Sequence, residues 1–386
     1  MSKRPCGNCE SGNCAACAGL GPAPARSLPE AEFQRRLREL LKLRRKLRLD
    51  AILLSGELNV YYFTGILSDN ASLLVTAEGP VFRTDRRYLV MAKRVAPWLS
   101  AKPLPARRDE QAFLAKLARR WTRVGYEASI SAGRYLELHE ALASAELVDV
   151  EESIAQLRAV KSPREIGAIR QAVMLNDAVF QTWAHNLAAP ATEWEISRQL
   201  RGLMDYVAQG EAFDTIVCVG KTAAECHHAP GEATFAPGRT ALVDMGVKSD
   251  FYCSDMTRSF CWGRPTKEYA DLRRLVSKAN RAAIAKIRPG VRCSEIDAVA
   301  RRLIEKAGYG DAFWHSLGHA FGLYIHESPV FSPSCDIELK PGMVMTVEPG
   351  IYIAGRLGIR VEDDVLVTAT GCEVLSRTPH DCDLPL

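Results

Sequence analysis

No run of the sequence approaches the roughly 18 apolar residues that a membrane-spanning helix requires, and its first residues lack the apolar core of a secretory signal. A surplus of one charge is missing as well. The 50 basic and 46 acidic residues leave +4 over 386 positions, too little to argue for a nucleic-acid partner. These absences argue against a membrane protein and a nucleic-acid-binding chain, and the expectation is a soluble, cytoplasmic protein. What is present suits a full core: 47% hydrophobic and 25% charged residues, in a chain long enough for two domains.

A disulfide framework is also lacking, although there are 12 cysteines. Those from Cys218 onward are scattered singly and read as small buried hydrophobes. Cys6, Cys9, Cys14 and Cys17 form "CGNCESGNCAAC", a C-x2-C-x4-C-x2-C pattern that could hold one Zn²⁺. Its middle spacer is short and no aromatic or aliphatic residue nearby could build a mini-core, so Gly, Asn, Ser and Ala make it read as a flexible tail. With the first part of the linker "AGLGPAPARSLPE" it occupies residues 1–26.

Residues 27–150 read as an α/β domain. "FQRRLRELLKLRRKLRLD" carries Leu37, Leu40, Leu41 and Leu47 at helical spacing among basic residues, which predicts a surface helix with its leucine face docked on a sheet. "DAILLSG", "ASLLVTA", "GPVFRTD" and "RVGYE" predict short strands, with helices near 86–95 and 111–120 between them.

Residues 151–386 open with Ser162, Pro163 and Glu165, the N-cap, first-turn proline and capping-box acid of a long helix. The sequence then repeats itself. "EISRQLRGLMDYVAQG" from Glu195 matches "EIDAVARRLIEKAGYG" from Glu295, with Thr192 and Ser294 as N-cap candidates. "APGRTALVDMG" (236–246) matches "KPGMVMTVEPG" (340–350), each with an acid, Asp244 or Glu348, at the same distance past Pro-Gly. A second acid follows each, Asp255 and Glu362. The duplication predicts a pseudo-twofold pair of αβ halves that brings four carboxylates together. Their apolar flanks predict burial, which is costly without cations. Four carboxylates with one histidine suit two divalent ions, Mn²⁺, Co²⁺, Zn²⁺ or Fe²⁺, and two such ions suit hydrolysis of an amide or ester.

Three histidines, His315, His319 and His326, fall within "HSLGHAFGLYIHESP". Taken alone they could be unrelated polar groups, or one could bind metal while the others meet a substrate. Together with "SDMTRSF", "TVEPGIY" and "GIRVEDD", this segment resembles the pita-bread metallopeptidases, a group that includes methionine aminopeptidase, aminopeptidase P and prolidase. The resemblance implies an α+β pita-bread (creatinase/aminopeptidase-like) catalytic domain. It implies that Asp244, Asp255, His319, Glu348 and Glu362 are the dinuclear metal ligands, with Mn²⁺ the expected ion. It further implies that Glu348 shuttles the proton, that His227 in "CHHAPG" and His326 sit at the reacting carbonyl, and that His315 and Arg360 contact substrate. His228 has no counterpart in that set.

"LNVYYFTG" and "TDRRY" (Asp85, Arg87, Tyr88) resemble the N-terminal domain shared by creatinase, aminopeptidase P and prolidase. Creatinase lacks the metal ligands, so the resemblance implies an Xaa-Pro peptidase acting on peptides, as a homodimer or homotetramer. The absence of large insertions in the catalytic half favours aminopeptidase P over prolidase. A non-catalytic pita-bread scaffold is the remote alternative. Two residues depart from the usual pattern, Ala320 after the ligand histidine and Tyr324 before the Ile-His pair, and Tyr324 is expected at the pocket rim.

Overall fold

The computed structural model describes residues 29–104 and 107–385, so Cys6, Cys9, Cys14, Cys17 and residues 18–28 of the linker lie outside the described residues. Two compact units are divided at Arg158/Ala159, one short helix (Glu151–Ala159) further on than the boundary at residue 150 read from the sequence.

In the first unit a six-stranded mixed sheet runs in the order Ser100–Pro103, Gly79–Thr84, Ala71–Thr76, Ala51–Leu54, Arg123–Tyr126, Glu146–Asp149. The four inner strands match the apolar runs of the sequence. The two edge strands, "SAKP" and "ELVD", are mostly exposed and carry no apolar alternation that would announce them. The basic helix spans Glu30–Lys46 and buries Phe33, Leu37 and Leu40. It packs on the helix Glu57–Thr64. Arg36 turns inward with it, donating to the Tyr62 carbonyl at 2.8 Å and lying 4.0 Å over the Tyr62 ring.

The second unit shows the duplication in space. One half pairs the helices Pro163–Asn186 and Glu193–Val207 and has the sheet order Met256–Cys261, Thr240–Met245, Ile216–Val219. The other pairs Lys267–Ile284 with Cys293–Lys306 and has the order Glu327–Phe331, Gly318–Ala320, Val344–Val347, Asp363–Val367, Cys372–Val374. Ser162 and Thr192 close capping boxes, as their spacing predicts. Ser294 does not cap its helix, which begins at Cys293. Its backbone N–H and that of Cys293 are instead satisfied by the carbonyls of Cys335 (2.9 Å) and Ile337 (3.0 Å).

Each half ties its acid-bearing strand to its first helix in the same way. Asn176 donates to the Met245 carbonyl at 2.9 Å, next to Asp244, and Asn280 donates to the Val347 carbonyl at 2.8 Å, next to Glu348. A second constraint acts on His319. A Cβ at the preceding Gly318 would stand 2.1 Å from the Thr346 carbonyl oxygen, so only glycine lets the strands Gly318–Ala320 and Val344–Val347 approach this closely. Gly318→Ala is therefore expected to destabilise the protein by about 2 kcal/mol, read as a lower thermal midpoint, while Gly371→Ala, where nothing lies within 4 Å, leaves the midpoint unchanged. Equal midpoints for the two variants would contradict this packing.

Candidate active site

The strand ends of the two halves meet around one cavity of about 810 Å³, lined by Asp244, Asp255, His319, Glu348 and Glu362 among others. Asp244 comes from the strand Thr240–Met245, and Asp255 directly precedes its antiparallel partner Met256–Cys261. Glu348 directly follows Val344–Val347, and Glu362 directly precedes Asp363–Val367. Carboxylate oxygens of Asp255 and Glu362 and a ring nitrogen of His319 all lie within 4.8 Å of one another. His319 Nε2 stands 3.7 Å from Asp255 and 3.4 Å from Glu348. Asp244 joins through Arg360, whose Nη2 donates to its Oδ2 at 2.6 Å, while its buried Oδ1 has no hydrogen-bond partner.

Burial and mutual repulsion set the electrostatics. Burial first, then Glu362 and Asp244, pushes the Asp255 carboxyl well above the usual carboxylate range. Burial with Glu348 and Asp244 does the same to Glu362. Burial raises Glu348 to about 8. His319, buried and facing His326 with ring centroids 4.4 Å apart, is lowered to about 3 and stays neutral, as a metal-binding imidazole must.

A hydrogen-bond relay borders the cluster. His315 Nδ1 faces the Ser316 carbonyl at 2.8 Å and must donate to it, so Nε2 is left as the acceptor for the Tyr352 hydroxyl at 3.0 Å. Tyr352 accepts from Arg360 Nη1 at 2.8 Å, and Arg360 Nε donates at 2.9 Å to Thr257 Oγ1, which donates at 2.7 Å to Glu362. Burial first, then Arg360, lowers His315 to about 4. His227 and His326 also line the cavity. His228 lines it too, but both its ring nitrogens are held at 2.8 Å, one by Glu193 and one by Glu225, and those contacts outweigh burial to raise its pKa. Tyr324 is half-buried and not part of the lining; its backbone N–H points to Glu327 at 3.3 Å.

Residues 167–369 match metallopeptidase family M24, and residues 36–160 match the Creatinase/Prolidase N-terminal domain. The chain belongs to metallopeptidase family M24. An uncharacterized peptidase of Staphylococcus epidermidis is 35% identical to it over 349 residues, which is 89% of this chain and 99% of that one. The Xaa-Pro dipeptidase from Bacillus anthracis superposes with a TM-score of 0.83 at 30% identity, over 93% of this chain and 100% of that chain. The X-Pro aminopeptidase from Thermotoga maritima MSB8 gives 0.81 at 30% identity, over 90% and 99%. Within the pita-bread metallopeptidases this M24 chain therefore falls with the Xaa-Pro peptidase group.

The donor set of this M24 metallopeptidase fits divalent metal. Four carboxylates and one neutral imidazole converge, the acids repel one another, and Asp244 Oδ1 is a buried acceptor left without a donor. Thr257, Tyr352, Cys226 and Asp364 were not singled out from the sequence. Asp364 holds the backbone N–H of Asp255 at 3.0 Å, and Cys226 Sγ lies 3.5 Å from Arg360. Tyr352 was within reach of sequence reasoning. It lies in "TVEPGIY", and pairing of Gly350 with Arg360 and Tyr352 with Gly358 puts Tyr352 and Arg360 on one face of a hairpin. Asp255→Asn or His319→Ala should each lower bound divalent metal, measured by elemental analysis of the purified protein, and abolish hydrolysis. Full metal content with full activity in either variant would remove these residues from the centre.

Proposed function

We propose that this chain is a dinuclear Xaa-Pro aminopeptidase, cutting the Xaa–Pro bond and releasing the N-terminal residue. The convergence of Asp255, His319 and Glu362, with Glu348 beside them, carries the reading. Asp244, Asp255, His319, Glu348 and Glu362 would hold two divalent ions, Mn²⁺ foremost, with Co²⁺, Zn²⁺ or Fe²⁺ suited to the same donors. When bound, such ions polarise the substrate carbonyl and acidify water.

The chain's own residues do the rest. Glu348, with Thr346 Oγ1 at 3.4 Å, takes a proton from the attacking water and delivers it to the leaving nitrogen. That delivery is required because the nitrogen of an Xaa–Pro bond is a tertiary amide without a proton. His227 and His326 line the cavity at the reacting carbonyl. His315, neutral and fixed by Tyr352, presents a ring face rather than a charge to the proline side. A rigid proline ring loses little entropy there, whereas alanine brings an N–H with no partner prepared for it. Arg360 lines the cavity and donates to Asp244, Tyr352 and Thr257, so it orients the site beside the substrate that it would contact.

Xaa-Pro dipeptidase is the second reading, favoured by the equal likeness to the Bacillus anthracis enzyme. A homodimer or homotetramer in the cytoplasm belongs to the same proposal, and light scattering would give the subunit count.

Two measurements test the function. In Mn²⁺, mass spectrometry of Xaa-Pro-Yaa, Xaa-Pro and Xaa-Ala-Yaa should show proline favoured over alanine by about 10- to 100-fold. Equal rates on proline and alanine would remove the chain from proline-specific hydrolysis, and cleavage of the dipeptide alone would make it a dipeptidase. Glu348→Gln keeps the shape of the side chain but removes its proton transfer, so turnover should fall at least about 10²-fold. Near-normal turnover would assign the proton to another group.

A further inference from the structure

Three guanidinium groups line the cavity, those of Arg360, Arg201 and Arg198. Arg360 already donates to Asp244, with which it forms an ion pair, and to Tyr352 and Thr257. Arg201 is paired with Glu211 at 2.6 Å. Arg198 makes no ion pair or hydrogen bond among the described residues; its guanidinium lies 4.6 Å over the ring of Trp194, itself 50% exposed. This stack is anchored. Glu193, next to Trp194 and buried, accepts from Val219 N (2.7 Å) and Gly231 N (2.9 Å) and holds His228 at 2.8 Å. The Trp194 backbone N–H donates to the Gly231 carbonyl at 3.1 Å. The start of the helix Glu193–Val207 is thereby fastened to the loop that carries His227.

Apart from His228, whose two ring nitrogens are held by Glu193 and Glu225, the remaining charges of the wall are acids. Asp214 lines the same cavity with no ion pair among the described residues, and the buried carboxylate cluster forms another part of the lining. His315 and His319 are neutral. A peptide brings one ammonium and one carboxylate. The acids, with the ions they would hold, suit the reacting end, and among the described residues of the wall only Arg198 offers the carboxylate a guanidinium with no ion pair or hydrogen bond. The guanidinium fork fits a carboxylate, and the stack on Trp194 restricts where it can lie.

We propose that Arg198, oriented by Trp194, receives the free C-terminal carboxylate of the substrate, which makes the enzyme selective for short peptides whose two ends fit within this cavity. The proposal rests on the peptidase reading above and names a specificity-determining residue for it.

The experiment compares free-acid and amidated forms of Met-Pro-Gly and of Met-Ala-Gly on the full-length protein in Mn²⁺, for wild type, Arg198→Gln and Arg198→Lys. Wild type should favour the free acid by about tenfold in kcat/KM, carried by KM. In Arg198→Gln the ratio of free acid to amide should fall to near one. Arg198→Lys should be intermediate, because lysine keeps the charge but neither the fork nor the stack. A wild-type ratio near one, or a ratio that survives Arg198→Gln, would overturn the proposal. The alanine pair separates it from the proline reading: a free-acid preference that depends on Arg198 in Met-Ala-Gly, with Met-Pro-Gly uncleaved, would support Arg198 and overturn proline specificity. Isothermal titration of the same peptides into Glu348→Gln and Glu348→Gln/Arg198→Gln, where turnover is suppressed, reads the ratio from Kd, and equal Kd values for acid and amide in Glu348→Gln would overturn it.

Discussion

Four carboxylates gathered in one largely buried site are the constraint on which the catalytic unit depends. Asp244, Asp255, Glu348 and Glu362 each stand at or beside the end of a core strand and face the same cavity. Burial and mutual repulsion hold Asp255, Glu348 and Glu362 above their ordinary range, and nearby positive charge favours the anionic form. Arg360 supplies part of that charge, and the donor set fits divalent metal for the rest. The surrounding architecture keeps the acids from moving apart. Arg258, fully buried, bonds the Thr378 carbonyl and Asp363 and so clamps the strand that follows Glu362, while Asn176 and Asn280 pin the two central strands.

The duplicated fold gives this constraint its geometry. One half supplies Asp244 and Asp255, the other His319, Glu348 and Glu362, and neither half alone can assemble the cluster. The substrate side is less symmetric. The His315–Tyr352–Arg360–Thr257 relay draws mostly on the second half, and Trp194 and Arg198 sit on the first. The acid cluster is thus shared between the halves, and each lines a different part of the cavity.

Much of this was legible in the sequence, for identifiable reasons. The metal-site acids stood out because a repeat placed them at equal distances past Pro-Gly, and the long helices because Ser162 and Thr192 announce themselves by capping boxes. The relay was not legible because its partners are far apart in the chain: Arg360 meets Thr257 across 103 residues and Cys226 across 134. Ser294 looked like a cap, yet carbonyls of residues 335 and 337 satisfy that helix end. The edge strands at 100–103 and 146–149 are set by their neighbours in the sheet and leave no hydrophobic pattern of their own. Arg198 reads as one more surface charge until the cavity wall is drawn around it.

The central claim is that the buried carboxylates make the fold itself dependent on divalent cations. A carboxyl whose folded pKa is raised favours the native state when protonated, and that stability is lost as pH rises from the unfolded value of about 4 through the folded one. The direct measurement is the thermal midpoint across about pH 5 to 9, in EDTA and in excess Mn²⁺. The account predicts a midpoint that falls with rising pH in EDTA and is restored by Mn²⁺, with the metal-induced gain largest at high pH. Midpoints that coincide with and without Mn²⁺ at every pH would contradict it.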